Sequence, residues 1–205
     1  MKTQEILTIR RPDDFHLHLR DGDSLKLLVP HACEQVARAI VMPNLIPAIR
    51  TTKEAKDYRN RILANVPKTK SLNPLMTIYL TDSTAPKDIA DAKSSGIIYG
   101  VKLYPKGATT NSESGVTSID KVMETLKEME RQGLPLLIHG EVTDSNVDVF
   151  DRESVFIKKV LPTITNACPH LKIVLEHIST AVLIIILFCF PLSAHECSKL
   201  FIKKK

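Results

Sequence analysis

Asp14-Phe15-His16-Leu17-His18-Leu19-Arg20-Asp21-Gly22 is the stretch on which the fold turns. Polar and apolar residues alternate from Asp14 to Arg20, the pattern of a β-strand whose two faces meet different surroundings. With a period of two, His16 and His18 project from one face, about 7 Å apart along the strand. Imidazoles so placed can close on one small cation, and neutral histidine is a common nitrogen ligand of zinc. For so short a stretch taken alone, an ordinary strand with two histidines is the readier reading. The remainder of the chain decides between them.

Downstream, apolar runs alternate with helical patterns. Asp23 to Arg38 has helical spacing, with Pro30 expected to kink or break it. Ala39-Ile40-Val41-Met42-Pro43 reads as a second, buried strand with Asn44 at its end. Thr51-Thr52 can cap a helix running to about Ala64. Leu75 to Leu80 and Val101 to Leu103 are the next strands, separated by a helix opening at Pro86. Ser118 to Gln132 is a helix ended by Gly133, followed by a strand over Leu136 to His139. A helix from Asp151 to about Ala167 precedes the sixth strand, Ile173 to His177.

Six strands alternating with helices predict a parallel α/β architecture. A doubly wound sheet should carry a glycine-rich turn after its first strand, and this chain, with seven glycines in all, has none there. The polar residues favour a barrel instead. His16, His18, Asn44, Lys102, His139 and His177 each fall at or near the C-terminal end of a predicted strand, the end where a (β/α)8 barrel builds its chemistry. The expected fold is an incomplete (β/α)8 TIM barrel with about six of the eight units.

The bulk numbers agree with a globular domain. The chain has 205 residues, 43% hydrophobic and 25% charged, with a net charge of +5. From Val182 onward four lysines and one glutamate give a local +3, which leaves the body nearly neutral. That balance argues against nucleic acid as the main partner. The four cysteines, Cys33, Cys168, Cys189 and Cys197, form no CxxC pair, as in a reducing compartment. The longest apolar run, Ala181 to Phe190, is far short of the ~20 residues that span a bilayer. The N-terminus shows no signal core or transit segment. We expect no membrane association and a cytoplasmic chain, or an organellar one if a leader is missing.

In combination these residues resemble the amidohydrolase superfamily, and more closely the dihydroorotases of the shorter, bacterial and plant-like type. The likeness rests on DFHLHLRDG, VMPN, VKLYPKGATTNSESGV, LLIHGE and LEHIST, in that order from about Ile6 to Thr180. It implies a zinc-dependent hydrolase of pyrimidine biosynthesis that closes N-carbamoyl-L-aspartate reversibly to dihydroorotate. Two Zn2+ per subunit are implied, His16 and His18 holding one and His139 and His177 the other. Lys102, carbamylated by CO2, would bridge both. A lysine ammonium repels a dication, so only the anionic carbamate can ligate. Arg20 and Asn44 are implied to bind the substrate carboxylate, with Thr109, Thr110 and His139 also touching substrate, the two threonines from a mobile lid. A homodimer is compatible with the resemblance.

The likeness stops at about Ala181. We therefore expect residues 1–181 to form a partial barrel and 182–205 an apolar and basic tail of other origin. The family's general-base aspartate, on its eighth strand, has no counterpart in this sequence. An alternative to a dihydroorotase is thus an inactive truncated isoform or gene-model fragment that binds metal or pairs with full-length subunits. A hydantoinase-like amidohydrolase is a third reading, opposed by Arg20, Asn44 and the threonine loop.

Overall fold

The computed structural model describes residues 7–181 with their side chains, and the backbone of residues 200–204. The elements run β1 (Asp13–Leu17), α1 (Asp23–Gln35), β2 (Arg38–Val41), α2 (Thr52–Ala64), β3 (Asn73–Tyr79), α3 (Pro86–Ser94), β4 (Ile98–Leu103), α4 (Ile119–Gln132) and β5 (Leu136–His139). Then come α5 (Arg152–Val155), a π-helical turn (Phe156–Val160), α6 (Leu161–Ala167), β6 (Ile173–Ile178) and β7 (Leu200–Lys204). The strands form one parallel sheet in strict chain order, β1 and β7 at its two ends. Curled, with helices on its outer side, it is an incomplete (β/α)8 barrel.

Local chemistry explains most boundaries. Thr51 caps α2: its hydroxyl accepts from Glu54 N–H at 3.2 Å, and the Glu54 carboxylate accepts from Thr51 N–H at 2.9 Å. In α4, Val122, Thr125, Leu126 and Met129 recur at helical spacing and are buried against the sheet. Gly133 ends that helix at φ 63°, a left-handed conformation that glycine adopts without strain. The apolar residues of helices and strands merge into a single core, with Tyr58, Ile62, Ile78, Val101, Leu126 and Ile138 wholly enclosed.

Three expectations need correction. Pro30 does not break α1, which runs unbroken over 13 residues in all, five of them beyond the proline. Leu25, Val29, Ala32 and Cys33 anchor the helix on both sides of the proline, so packing offsets the missing hydrogen bond. Strand β1 stops at Leu17, leaving His18 just beyond it, because Arg20 at φ 56° turns the chain earlier than the alternation implies. The helix expected over residues 151–167 starts one residue later and is interrupted by the π-helical turn. The apolar run over residues 182–190 lies outside the described residues, as do Cys189 and Cys197; the backbone of the basic end, residues 200–204, pairs with β6.

Candidate metal and substrate site

The barrel rim gathers the polar residues that the sequence places at strand ends. Parallel register sets Tyr79 beside Lys102, and His139 beside Glu176. A cavity of about 380 Å3 opens at this end, lined by His16, His18, Arg20, Asn44, Thr109, Thr110, His139 and His177, with Tyr104, Glu141 and Ser179. Lys102 lies beneath it, with 0% of its surface exposed.

The histidines are set in two pairs. His16 Nε2 and His18 Nε2 are 3.1 Å apart, and His139 Nδ1 and His177 Nε2 are 3.2 Å apart. The pairs adjoin, since the rings of His16 and His177 meet edge to face with centroids 5.4 Å apart. A tetrahedral cation at the ~2.0–2.1 Å typical of zinc–imidazole bonds holds its ligand nitrogens roughly 3.3 Å apart. Both spacings are close to that value. His139 Nε2 is buried without a hydrogen-bond partner and lies 3.5 Å from Glu141 Oε2. Among the described residues, no three His, Cys, Asp or Glu side chains are arranged so that they could hold a metal ion by themselves. Each pair therefore needs a donor of another kind, and Lys102 is the side chain buried nearby. As an ammonium it does not fit a cation; as an anionic carbamate it does.

Glu176 is the residue that sequence reasoning missed. Its buried carboxylate bonds Lys102 Nζ and stands 2.8 Å from His16 Nδ1, a close contact off the line of a hydrogen bond. Burial alone would raise its carboxyl, but the Lys102 charge and the contact with His16 hold it down at about 2. Burial pushes the Lys102 amine below its ordinary value, against the pull of Glu176. The same burial, helped by neighbouring charges such as Lys102, takes His18, His139 and His177 to about 4. These three are neutral at pH 7, the state in which imidazole ligates a metal. Tyr104, its phenol also driven upward by burial, lays its ring 4.7 Å from Lys102 Nζ and adds a cation–π contact.

The carboxylates close to Arg20 in sequence bind elsewhere. Asp21 forms a two-pronged bond with Arg61 at 3.0 and 2.7 Å, and Asp23 pairs with Lys26. Arg20 itself reaches the cavity, with Nη1 buried and unpartnered. Asn44 spends one amide hydrogen on Thr110 O at 3.0 Å and receives Asn111 Nδ2 on its own carbonyl at 3.0 Å. These bonds dock the threonine loop over the cavity. Ser112 stitches the loop internally, accepting from Thr109 N–H at 2.9 Å and donating to Thr109 O. Arg20, Asn111 and His177 have φ of 56°, 56° and 42°. Left-handed conformations cost non-glycine residues about 1–3 kcal/mol each and collect where function over-determines the backbone.

The loop's base has no slack. A Cβ on Gly115 would lie 2.4 Å from Tyr104 O and 2.9 Å from Lys106 Cα, both backbone atoms that cannot turn aside. Gly115→Ala should therefore lower stability by about 1–3 kcal/mol, the range for overpacking. Urea denaturation checks this; a midpoint unchanged from wild type would show that the loop yields.

No protein-family profile matches the chain. Among curated proteins it is 57% identical to a dihydroorotase of Acaryochloris marina over 175 residues, 85% of this chain and 51% of that protein. It is also 57% identical to a protein named dihydroorotase, mitochondrial, from Oryza sativa subsp. japonica, over 85% of this chain and 43% of that one. A crystal structure of dihydroorotase from Campylobacter jejuni superposes with a TM-score of 0.82 at 38% identity, covering 95% of this chain and 54% of that one. No helix among the described residues is long and apolar enough to cross a membrane. Over 85% of its residues, then, this chain is a homologue of the dihydroorotases, and it spans about half the length of the curated relatives it matches.

Proposed function

We propose that the cavity is the metal and substrate site of a dihydroorotase, for the reversible closure of N-carbamoyl-L-aspartate to (S)-dihydroorotate. The observation that carries this is the meeting of two histidine pairs at 3.1 and 3.2 Å with an unpartnered buried Arg20 nitrogen at one cavity. His16 and His18 would hold one Zn2+, His139 and His177 the other, and carbamylated Lys102 would bridge them. When bound, the metals would supply activated water and polarise the amide carbonyl. Burial favours the neutral Lys102 amine that CO2 requires. The Arg20 guanidinium offers a fork to the substrate carboxylate, and the second amide hydrogen of Asn44 is left for it as well. Thr109 and Thr110 would cover the substrate and exclude water, while His139 would also touch it. The same reading divides the chain near Ala181, where the likeness quoted from the sequence stops. A cytoplasmic location fits the buried thiols Cys33 and Cys168.

The test has two stages. Metal analysis after gel filtration should find zinc in the 205-residue chain, and His16→Ala with His18→Ala should lower it. Turnover is then followed by dihydroorotate absorbance, for the chain alone and for the chain extended after Thr180 with the corresponding half of a relative. The extended protein should act on dihydroorotate and lose at least 100-fold in rate with His16→Ala, since an electrostatic or acid–base group typically contributes ~10²–10⁴-fold. A folded extended protein that loads zinc and leaves dihydroorotate untouched would overturn the assignment.

A further inference from the structure

Glu153 is buried, at 8% exposure, and lies on α5 rather than on any strand. Its carboxylate accepts four hydrogen bonds from two consecutive residues. Oε2 takes Ser179 N–H at 2.8 Å and Ser179 Oγ at 3.0 Å; Oε1 takes Thr180 N–H at 2.9 Å and Thr180 Oγ1 at 2.6 Å. A charged carboxylate bonded in this way is held more tightly than a neutral acceptor would be. Ser179 and Thr180 come directly after β6, two and three residues beyond His177, and His177 itself has φ 42°. A backbone in that conformation persists only where its surroundings dictate it. The clamp on Ser179 and Thr180 holds the chain just beyond it on the C-terminal side.

The same helical segment also supports the partner histidine. Phe156, three residues beyond Glu153, begins the π-helical turn, and its ring lies 3.5 Å from where a Cβ on Gly140 would stand. Gly140 follows His139, the last residue of β5. A π-helical turn carries an extra residue and re-aims the side chains around it. One short segment thus braces the residues after both members of the 3.2 Å pair.

We infer that Glu153 is a positioning residue, which sets the geometry of the His139–His177 pair through its clamp on Ser179 and Thr180. The inference rests on the reading of that pair as metal ligands, but its test separates the two. Glu153→Gln replaces one acceptor oxygen by an amide NH2 that faces two donors, so half the clamp must open. In the metal-free protein, amide exchange at Ser179 and Thr180 should accelerate at least tenfold while the amides of β3 keep their wild-type rates. The 15N imidazole signals of His177 should shift with it. Zinc titrated against a chromophoric chelator should then show one of two ions bound 10–100-fold more weakly, the usual loss when a group supporting a ligand is removed. Should Glu153→Gln fail to fold, Ser179→Ala with Thr180→Val keeps the carboxylate and its backbone donors and should change the same readouts in the same direction, by less. Wild-type protein that folds but takes no zinc overturns the metal reading; the clamp is then judged on exchange and imidazole signals. Unchanged exchange at Ser179 and Thr180, uniform acceleration across the protein, or a local loosening that leaves His177 signals and zinc affinity at wild-type values would each overturn the inference.

Discussion

In the absence of metal, the chain should lose stability steeply as the pH falls from about 6.5 to about 4. His18, His139 and His177 have an ordinary value of 6.5 and sit at about 4 in the folded protein, chiefly through burial. Within that window the unfolded chain takes up protons that the folded one refuses. Stability therefore rises with pH, is complete above about 6.5, and is eroded as acid approaches 4. Three such groups give a slope of at most about 4 kcal/mol per pH unit, trimmed by the water that reaches the cavity. Glu176, held at about 2, extends the loss in the same direction below its ordinary 4.5. Urea denaturation with chelator at pH 7.5, 6 and 5 measures the slope, and His18→Asn should reduce it by about one proton. Equal midpoints at all three pH values would mean that these imidazoles are not held neutral by the fold. Added zinc should steepen the dependence, because protons and metal compete for the same nitrogens.

Lys102→Met should cost about 3–5 kcal/mol, the usual loss when one member of a buried ion pair is removed and the other is stranded. Here the stranded group is Glu176, 3% exposed and within reach of His16 only by an oblique contact. Glu176→Gln alone should also destabilise, since it leaves the enclosed amine without its countercharge. The double variant should recover much of the loss, because a buried pair is often no more stable than an apolar replacement of similar volume. A double-mutant cycle by urea denaturation decides the matter. Single effects that simply add would show that the two side chains are not a unit. Native mass spectra of the wild type in CO2-rich buffer should show one added carboxylate, absent from Lys102→Met.

These two predictions mark where the sequence could and could not be read. Strand β5 has the bounds that its apolar run implies, Leu136–His139, and α2 begins after the threonine expected to cap it. Such features are local: period, cap and breaker residues act within a few positions. Lys102 is legible only in company, through VKLYPKGATTNSESGV and the histidines on the neighbouring strands, since alone it reads as an ordinary strand-end lysine. Glu176 is not legible, although it shares the pair, because its partner is 74 residues away and a glutamate beside a histidine looks like surface charge. Glu153 hid in the same way, its donors lying 26 and 27 residues on. The π-helical turn at Phe156–Val160 leaves the 3.6-residue pattern nearly intact over so few residues, so periodicity could not reveal it. His18, placed on the strand by alternation, is carried past its end by the left-handed turn at Arg20.

The strict strand order has a consequence for biosynthesis. Each new strand lies beside the one made just before it, so a nascent chain can pair its strands one at a time as they emerge. The rim residues emerge in the same sequence, His16 and His18 first, Lys102 midway, His139 and His177 last. At ~5–20 residues per second, the 74 residues from Lys102 to Glu176 take the ribosome roughly 4–15 s. Throughout that interval the lysine has no countercharge, and burying it would be costly. The ion pair that encloses Lys102 is therefore completed only once the sixth strand is made.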